Sequence, residues 1–321
     1  MDRLLEILGS IADTETTAYL LEQDFVLFGL AAIALLGLLS GAIGPFIVMR
    51  QMSFSVHGAS ELALTGAAAA LLFGLNLGLG AIVGSVIAAL MFGLMGSRAS
   101  QRDSSIGVVL AFGLGLAVLF IHLYPGRSGT SFSLLTGQIV GVSEHGLVQM
   151  AVVAAIIVGA LIVLYRPLVF SSADPEVAEA RGVPVRAINM VFAVLVGLAA
   201  AQAVQVVGAL LVLSLLITPA AAAAAVTSSP LRAIGLTILF AEIAAVGGML
   251  LSLAPGVPVS VFVTTISFVI YLACRGVAAV RRLPGAPGRT VPGRTVPGRT
   301  VLPWRPTMPP NSRPSGPTTQ P

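Results

Sequence analysis

The chain has 321 residues, of which 56% are hydrophobic and only 9% are charged, and its mean hydropathy is +0.99. Soluble domains carry about 25% charged residues, so this composition excludes a soluble globular protein and indicates an all-α, polytopic bundle in a lipid bilayer. The net charge of +4 does not indicate a nucleic-acid partner, because the arginines lie near predicted membrane boundaries and in the C-terminal tail. The single cysteine, Cys274, excludes an intrachain disulfide.

The chain contains no lysine, and all 17 of its basic residues are arginine. A phosphate-binding P-loop needs a lysine that reaches the β- and γ-phosphates. We therefore expect no such nucleotide site here, and any ATP hydrolysis must come from another subunit. An intramembrane enzyme would need a constellation such as HExxH, and the three histidines are widely separated, so we do not expect an enzyme.

The N-terminal segment, residues 1–24, is charged, unlike the apolar segment after it. It lacks a basic start followed by a short apolar run, so no cleavable signal peptide is predicted. Residues 1–22 are expected to form either an amphipathic stretch on the outer membrane surface or a disordered end. The apolar face of the amphipathic form would consist of Leu4, Leu5, Ile7, Leu8 and Ile11.

Nine membrane spans are predicted, because a span needs about 20 mostly apolar residues. The region 188–226 is apolar throughout, with Gln202 and Gln205 as its only break, so eight spans are also compatible with the sequence. The nine predicted spans are 25–48, 54–74, 77–96, 105–124, 146–165, 188–205, 207–226, 233–253 and 257–274.

Arginine distribution predicts the orientation, since cytoplasmic loops carry an excess of basic residues. With the 166–187 loop inside, only Arg3 and Arg127 face outward, the N-terminus is outside and the C-terminus is cytoplasmic. Apart from the arginines of the 284–321 tail, those then on the cytoplasmic side are Arg50, Arg98, Arg102, Arg166, Arg181, Arg186, Arg232, Arg275, Arg281 and Arg282.

Two segments outside the spans have a distinct composition. The glycine-rich outer loop 125–145 contains a moderately apolar piece, Phe132–Val142, that predicts a short interfacial helix. Residues 284–321 repeat PGRTV three times and lack apolar periodicity, which predicts a disordered tail. The membrane domain is therefore expected to span residues 25–283.

Two ionisable residues, His57 and Glu61, lie four residues apart in an otherwise apolar segment. A charge at the bilayer centre costs roughly 2.5–3.5 kcal/mol, so such residues are functional candidates. Helical spacing places them on one face, and imidazole plus carboxylate is a ligand set that zinc and manganese accept. The alternative is a pair that fixes helix packing. Glu242, in another predicted span, is expected at the pathway or at a dimer interface.

The loop around Asp174 carries the signals of a short helix outside the membrane. Asp174 is a good N-cap, Pro175 suits the first helical position, and Glu176 places negative charge near the positive helix end. Gly182 and then Pro184 are expected to end the helix after about two turns. Elsewhere, Asn76, Gln202 and Gln205 are expected to hydrogen-bond between helices, and Thr218–Pro219 is expected to break one.

The segment Arg50–Gly66, RQMSFSVHGASELALTG, resembles the second-helix signature of permease subunits from zinc- and manganese-type metal-ion ABC transporters. The chain departs from that signature at His57, where the family has aspartate, at Glu61, where it has histidine, and at Thr65, where it has proline. The pair thus keeps one imidazole and one carboxylate in reversed order. The matching residues are Arg50, Met52, Ser60, Leu64 and Gly66.

Three further segments extend the resemblance over residues 25–275, in the family's order. They are LLTGQIVGVS at Leu134–Ser143, DPEVAEARGVPVRAIN at Asp174–Asn189 and QAVQVVGALLVLSLLITPAAAAAAV at Gln202–Val226. The second of these resembles the family's cytoplasmic coupling segment. The residues expected to contact an ATPase there are Asp174, Pro175, Glu176, Glu179, Ala180, Gly182 and Pro184.

The resemblance implies a permease with the fold of type II ABC importers and about eight or nine transmembrane helices in a bacterial plasma membrane. It implies cytoplasmic ATPase subunits, an extracytoplasmic metal-binding protein and a permease homodimer as partners. The cargo would be a zinc or manganese ion passing a transient site at His57 and Glu61, with Ser60 and Glu242 along the path, and no resident cofactor is expected. The alternatives are an iron or iron-chelate permease and an ion-coupled secondary transporter.

Overall fold

A computed structural model describes residues 14–94, 99–126 and 142–282, and all the regular secondary structure in these ranges is helical. The N-terminal residues 1–13, nearly all of the predicted Phe132–Val142 helix and the 284–321 tail lie outside the described residues. The helices are α1 (Thr14–Leu21), α2 (Asp24–Met49), α3 (Ser53–Leu72), α4 (Leu77–Leu94), α5 (Ala99–Leu123), α6 (Glu144–Ala173), α7 (Pro175–Ala180), α8 (Val185–Val207), α9 (Val212–Leu216), α10 (Thr218–Val226), α11 (Pro230–Leu253) and α12 (Val259–Arg282).

Six stretches in the described part of the chain are long and apolar enough to cross a membrane. Two shorter apolar stretches, Leu77–Gly93 and Val212–Val226, accompany them. The all-helical class predicted from the sequence is confirmed. Several helices run past the predicted span ends, most clearly α6, which continues through Arg166 and Pro167 to Ala173. A helix need not end where the bilayer does, and hydropathy detects only the membrane boundary. The six stretches lie within α2, α5, α6, α8, α11 and α12.

The break in the long apolar region 188–226 lies at Gly208 and not at the glutamines. Helix α8 runs unbroken through Gln202 and Gln205 and ends at Gly208, where the backbone φ is +80°. Glycine reaches positive φ without the steric penalty of a Cβ, whereas an amide side chain does not interrupt a helix. A 3₁₀ turn at Ala209–Leu211 follows, and then the short helices α9 and α10.

Proline at the start of α10 produces a second break, which confirms the prediction for Thr218–Pro219. Pro219 has no backbone N–H, so the carbonyl of Leu215, four residues earlier, loses its usual helical donor. The hydroxyl of Ser40 on α2 donates a hydrogen bond to that carbonyl. Helix α2 therefore satisfies the polar group that the broken segment exposes inside the bundle, and α9 packs against α2, α3 and α12.

Small residues bring α3 and α4 into backbone contact. A Cβ added at Gly66 of α3 would lie 2.1 Å from the carbonyl oxygen of Gly80 on α4. A Cβ added at Gly84, one turn further along α4, would lie 2.1 Å from the carbonyl oxygen of Leu62. Such small-residue contacts are the usual basis of tight helix packing in membranes, and they fix the face of α3 that lies against α4.

Helix α2 occupies the centre of the bundle. It packs against α6, α8, α10 and α11, and its side chains at Ile33, Leu36 and Ile43 are at most 1% exposed. Its contact with α11 is again close, because a Cβ at Gly41 would lie 2.4 Å from the Cα of Ile238. The N-terminal half of the bundle, α3 to α5, and the C-terminal half, α9 to α12, therefore assemble around α2 and α8.

Gly66→Ala is expected to destabilise the folded chain by about 1–3 kcal/mol, since the added methyl group would overlap the backbone of Gly80 and separate two helices. Gly159→Ala on α6 is the matched control, because a Cβ there meets nothing within 4 Å. Thermal unfolding of both variants in detergent, followed by size-exclusion chromatography, checks the difference. Equal unfolding temperatures for the two variants would contradict the close approach of α3 and α4.

Candidate functional site

His57 and Glu61 lie on one face of α3, as their spacing predicts. Glu61 is 4% exposed, and His57 is half-buried with its ring against that of Phe54, at 6.5 Å between centroids. The imidazole is close enough to the carboxylate for electrostatic interaction. The carboxylate is thus enclosed by the bundle, while one side of the imidazole remains accessible.

Both side chains of the pair carry a buried polar atom without a partner. His57 Nδ1 and Glu61 Oε2 are shielded from solvent and have no hydrogen-bond partner among the described residues. Buried polar groups in native proteins are nearly always satisfied, so each exception requires an explanation. A nitrogen lone pair and a carboxylate oxygen are also the donor atoms that a divalent transition-metal ion uses.

The described residues contain no group of three or more His, Cys, Asp or Glu side chains placed to hold a metal ion. A cation at His57 and Glu61 would therefore have two of these ligands from the described chain. Structural zinc sites use four protein ligands and are closed, so this arrangement suits brief binding better than permanent retention.

Ser60 and Thr65 both bond to the backbone of their own helix near the pair. Ser60 is fully buried and donates to the carbonyl of His57, at 2.7 Å. The hydroxyl of Thr65 lies 2.9 Å from the carbonyl oxygen of Glu61 and 2.7 Å from that of Gly113 on α5. The family that this segment resembles has proline at this position. Here the Thr65 hydroxyl instead connects the Glu61 turn of α3 to the neighbouring helix α5.

Glu242 lies at a different helix interface from His57 and Glu61. Its helix, α11, packs mainly against α2, α10 and α12. The half-buried carboxylate lies over Gly37 of α2, where an added Cβ would be 2.9 Å from Oε1. Of the four residues predicted along a pathway, His57, Ser60 and Glu61 lie together on α3, whereas Glu242 lies on α11 and contacts α2.

The short helix α7 has the local structure that its sequence predicts. The carboxylate of Asp174 accepts a hydrogen bond from the backbone N–H of Val177 at 3.0 Å, and Pro175 is the first helical residue. Gly182 ends the helix with φ +82°, and the Val183 N–H donates to the carbonyl of Ala178. The N-cap and the glycine stop are therefore confirmed, and α8 follows directly after Pro184.

One residue of α7 anchors the helix and the others are exposed. Ala178 is fully buried, whereas Val177, an apolar residue outside the predicted membrane spans, is 45% exposed. The other exposed residues of the segment 174–184 are Asp174, Pro175, Glu176, Glu179, Ala180, Arg181, Gly182 and Pro184. The segment thus presents a small exposed surface that contains acidic, basic and apolar side chains.

Arg50, at the end of α2, makes a set of contacts that its place in the motif did not reveal. Its Nε donates to the Ser172 hydroxyl at 2.8 Å, and its Nη2 donates to the Ser171 hydroxyl and to the Leu168 carbonyl, all at the end of α6. Its Nη1 donates to the Asn189 side chain in the first turn of α8. Burial lowers the pKa of Arg50 to about 10, so the guanidinium stays charged at neutral pH.

The sequence model of the ABC 3 transport family matches residues 22–277. The chain is 30% identical over 234 residues to the manganese transport system membrane protein MntC of Halalkalibacterium halodurans, covering 73% of this chain and 80% of that protein. It is also 26% identical over 218 residues to the high-affinity zinc uptake system membrane protein ZnuB of Haemophilus influenzae, covering 68% and 84% of the two chains.

Two solved structures resemble this helical bundle. PsaBC from Streptococcus pneumoniae in complex with Fab superposes with a TM-score of 0.74 at 27% identity, covering 83% of this chain and 99% of the matched chain. An inward-facing putative metal-chelate type ABC transporter superposes with a TM-score of 0.59 at 18% identity, covering 78% and 85%. The second likeness concerns the fold alone.

Proposed function

The chain belongs to the ABC 3 transport family, and on this premise we propose that it is the permease subunit of an ATP-driven importer of manganese or zinc ions. Relatives named for manganese transport and for zinc uptake support this class of cargo. The permease would alternate between outward-open and inward-open states, and separate subunits would hydrolyse ATP.

The observation that carries the proposal is the His57–Glu61 pair with its two unpartnered buried atoms. Glu61 lies eight residues, about 12 Å, along α3 from its first residue Ser53, which is near the middle of a bilayer with a core about 30 Å thick. An ion at this depth has lost most of its water, so one nitrogen and one oxygen ligand would lower the barrier to crossing. Binding by two such ligands is weak enough for release, with Ser60 fixing the backbone of the same turn.

The energy for transport would enter through α7. The chain has no lysine for a P-loop, and α7 is an exposed, capped helix that we place outside the bilayer. A short rigid helix of this kind can dock in a groove on an ATPase and transmit its displacement. The docking residues we propose are Asp174, Pro175, Glu176, Glu179, Ala180, Gly182 and Pro184, together with Val177.

We propose nine membrane crossings, with α7 and Arg50 on the cytoplasmic side. The contacts of Arg50 with the end of α6 and the start of α8 support a common side for these three places. The broken segment 209–226 would be the seventh crossing. The N-terminus would then lie outside and the C-terminus inside, which agrees with the arginine distribution.

The remaining partners are an extracytoplasmic metal-binding protein that delivers the ion and a second copy of the permease in the same bilayer. Many apolar residues on α5 and α6 are exposed, such as Val108, Phe112 and Val163, and these would face lipid. Glu242 would act at the α2–α11 interface, where its carboxylate lies beside Gly37 and would respond to movement of α11 against α2.

Uptake by liposomes that contain the permease and its ATPase subunits tests the proposal. We expect accumulation of manganese or zinc that requires ATP hydrolysis and that persists when ionophores collapse proton and sodium gradients. Uptake without ATP, driven by such a gradient, would instead identify a secondary transporter. Accumulation of an iron chelate but of neither free ion would identify the chelate permease.

Asp174→Ala is expected to weaken ATP-driven uptake about 2- to 30-fold, because loss of an N-cap costs roughly 0.5–2 kcal/mol of helix stability. Asp174→Asn is the matched control, since asparagine caps as well as aspartate but carries no charge. ATP-driven uptake by the two variants distinguishes the effect of the helix cap from the effect of the negative charge. If the asparagine variant loses as much activity as the alanine variant, the carboxylate itself makes the docking contact.

A further inference from the structure

Arg50 lies between the candidate ion site on α3 and the proposed docking helix α7. It directly follows α2, and only Gln51 and Met52 separate it from α3, whose residues His57 and Glu61 form the candidate ion site. Gln51 has φ +53°, so the chain turns sharply there. The connection between Arg50 and the start of α3 is therefore only two residues long and folded back, which suits it to transmit a displacement.

The partners of Arg50 flank α7 on both sides. Ser171, Ser172 and Leu168 belong to the last turns of α6, which is separated from α7 by one residue, Asp174. Asn189 belongs to the first turn of α8, which begins five residues after α7 ends. One guanidinium thus holds both stems of the segment that we propose to dock on the ATPase.

An aromatic layer connects the same three helices one turn further into the bundle. The ring of Phe46 on α2 packs edge-on against Tyr165 of α6 at 6.2 Å and against Phe192 of α8 at 6.3 Å. The Arg50 guanidinium lies 5.2 Å from the Phe192 ring. The aromatic layer supplies apolar packing that does not depend on Arg50, so the helices have a reason to stay together without it.

The chemistry of arginine suits this position. The hydrogen-bond partners of Arg50 in the described chain are neutral: two hydroxyls, one amide and one carbonyl. Guanidinium offers five N–H donors in a fixed planar fork and also stacks on aromatic rings, whereas an ammonium group is a flexible point charge with three donors. Lysine at residue 50 could hold one stem but not both stems in fixed geometry.

We propose that Arg50 is a positioning residue that couples α7 to α3, so that ATP-driven displacement of α7 moves the helix carrying His57 and Glu61. The inference rests on the proposed transport function. Arg50, the first residue of the second-helix motif, would thus link ATP hydrolysis mechanically to ion movement.

The number of metal ions transported per ATP hydrolysed, measured in liposomes with the permease and its ATPase subunits, tests the inference. Arg50→Ala is expected to lower this ratio about tenfold, within the usual range of coupling between sites, while ATP hydrolysis continues. Arg50→Lys is expected to restore part of the ratio. Arg232→Ala, at an exposed arginine in the first turn of α11 and outside the proposed docking segment, is the matched control and is expected to keep the wild-type ratio.

A purely structural role would give a different result. It would reduce the amount of folded complex and lower ATP hydrolysis and transport in parallel, leaving the ratio unchanged, and this outcome would overturn the inference. If Arg50→Ala does not fold, Asn189→Ala and the double variant Ser171→Ala, Ser172→Ala decide the matter, because each removes the side-chain hydrogen bonds from Arg50 to one stem and leaves Arg50 in place. Wild-type ratios in both would likewise overturn it.

The failure of the inference and that of the proposed function are distinguishable. Absence of ATP-dependent metal uptake by the wild-type complex would contradict the function itself. Wild-type uptake together with an unchanged ratio in the Arg50 variants would contradict only the role of Arg50. Non-additive effects of Arg50→Ala and Asn189→Ala in a double-mutant cycle would show that the two residues act through their contact.

Discussion

Glu61→Gln is expected to lower metal uptake by at least about tenfold. Glutamine keeps the size of the side chain but removes the negative charge and one metal-binding oxygen. Even substitutions of residues that only support a metal ligand typically cost about 10–100-fold, so loss of a ligand should do no less. His57→Phe is expected to have a similar effect, since phenylalanine keeps the ring beside Phe54 but has no nitrogen. Radiometal uptake by liposomes with the ATPase subunits is the measurement.

His122→Phe is the control for these variants, because His122 is an exposed histidine on α5 and is expected to tolerate the change. The alternative role of His57 and Glu61 is helix packing. If Glu61→Gln and His57→Phe both fold and transport at the wild-type rate, the pair is structural and the proposed ion site is wrong.

The double variant His57→Asp, Glu61→His provides a sharper test of the same site. It restores the order of ligand types found in the resembling family while keeping one imidazole and one carboxylate on the face of α3. We expect the double variant to transport more than either single exchange, which would leave two carboxylates or two imidazoles. If the double variant transports no better than the worse of the two single variants, then which position holds the imidazole and which holds the carboxylate matters more than having one of each.

Val177→Asp is expected to abolish the docking of α7 on the ATPase. Val177 is an apolar side chain, 45% exposed, on a helix outside the membrane spans, and we expect it to be covered in the complex. An unpartnered buried charge costs about 3–5 kcal/mol, which corresponds to a loss of association of about a hundredfold or more. Co-purification of the ATPase subunits with the permease measures this directly.

Ser228→Asp is the control for Val177→Asp, since it adds the same charge to an exposed loop between α10 and α11 on the same proposed side. We expect this variant to keep its ATPase subunits. Undiminished association of Val177→Asp would mean that α7 does not present this face to the ATPase, and the proposed docking surface would then be elsewhere.

Signals within a few residues of one another predicted the local structure well. The cap at Asp174 and the glycine stop at Gly182 lie where their residue types indicate, because each depends on backbone groups one turn away. The face shared by His57 and Glu61 also follows from helical periodicity. Hydropathy found the apolar helices, yet it placed the break of the 188–226 region at the glutamines, because it measures polarity and does not measure the backbone freedom of Gly208.

By itself, the sequence determined that the chain is a helical membrane protein, which residues share a face, and where the short capped helix α7 begins and ends. Only the tertiary structure decided that Glu242 lies against α2 and that Arg50 holds α6 and α8. The contacts of Arg50 join residues 118 to 139 positions apart, and pairing at that distance depends on which helix faces meet. In a bundle whose helices are apolar on nearly all sides, close approach at small residues such as Gly41 and Gly66 decides those faces.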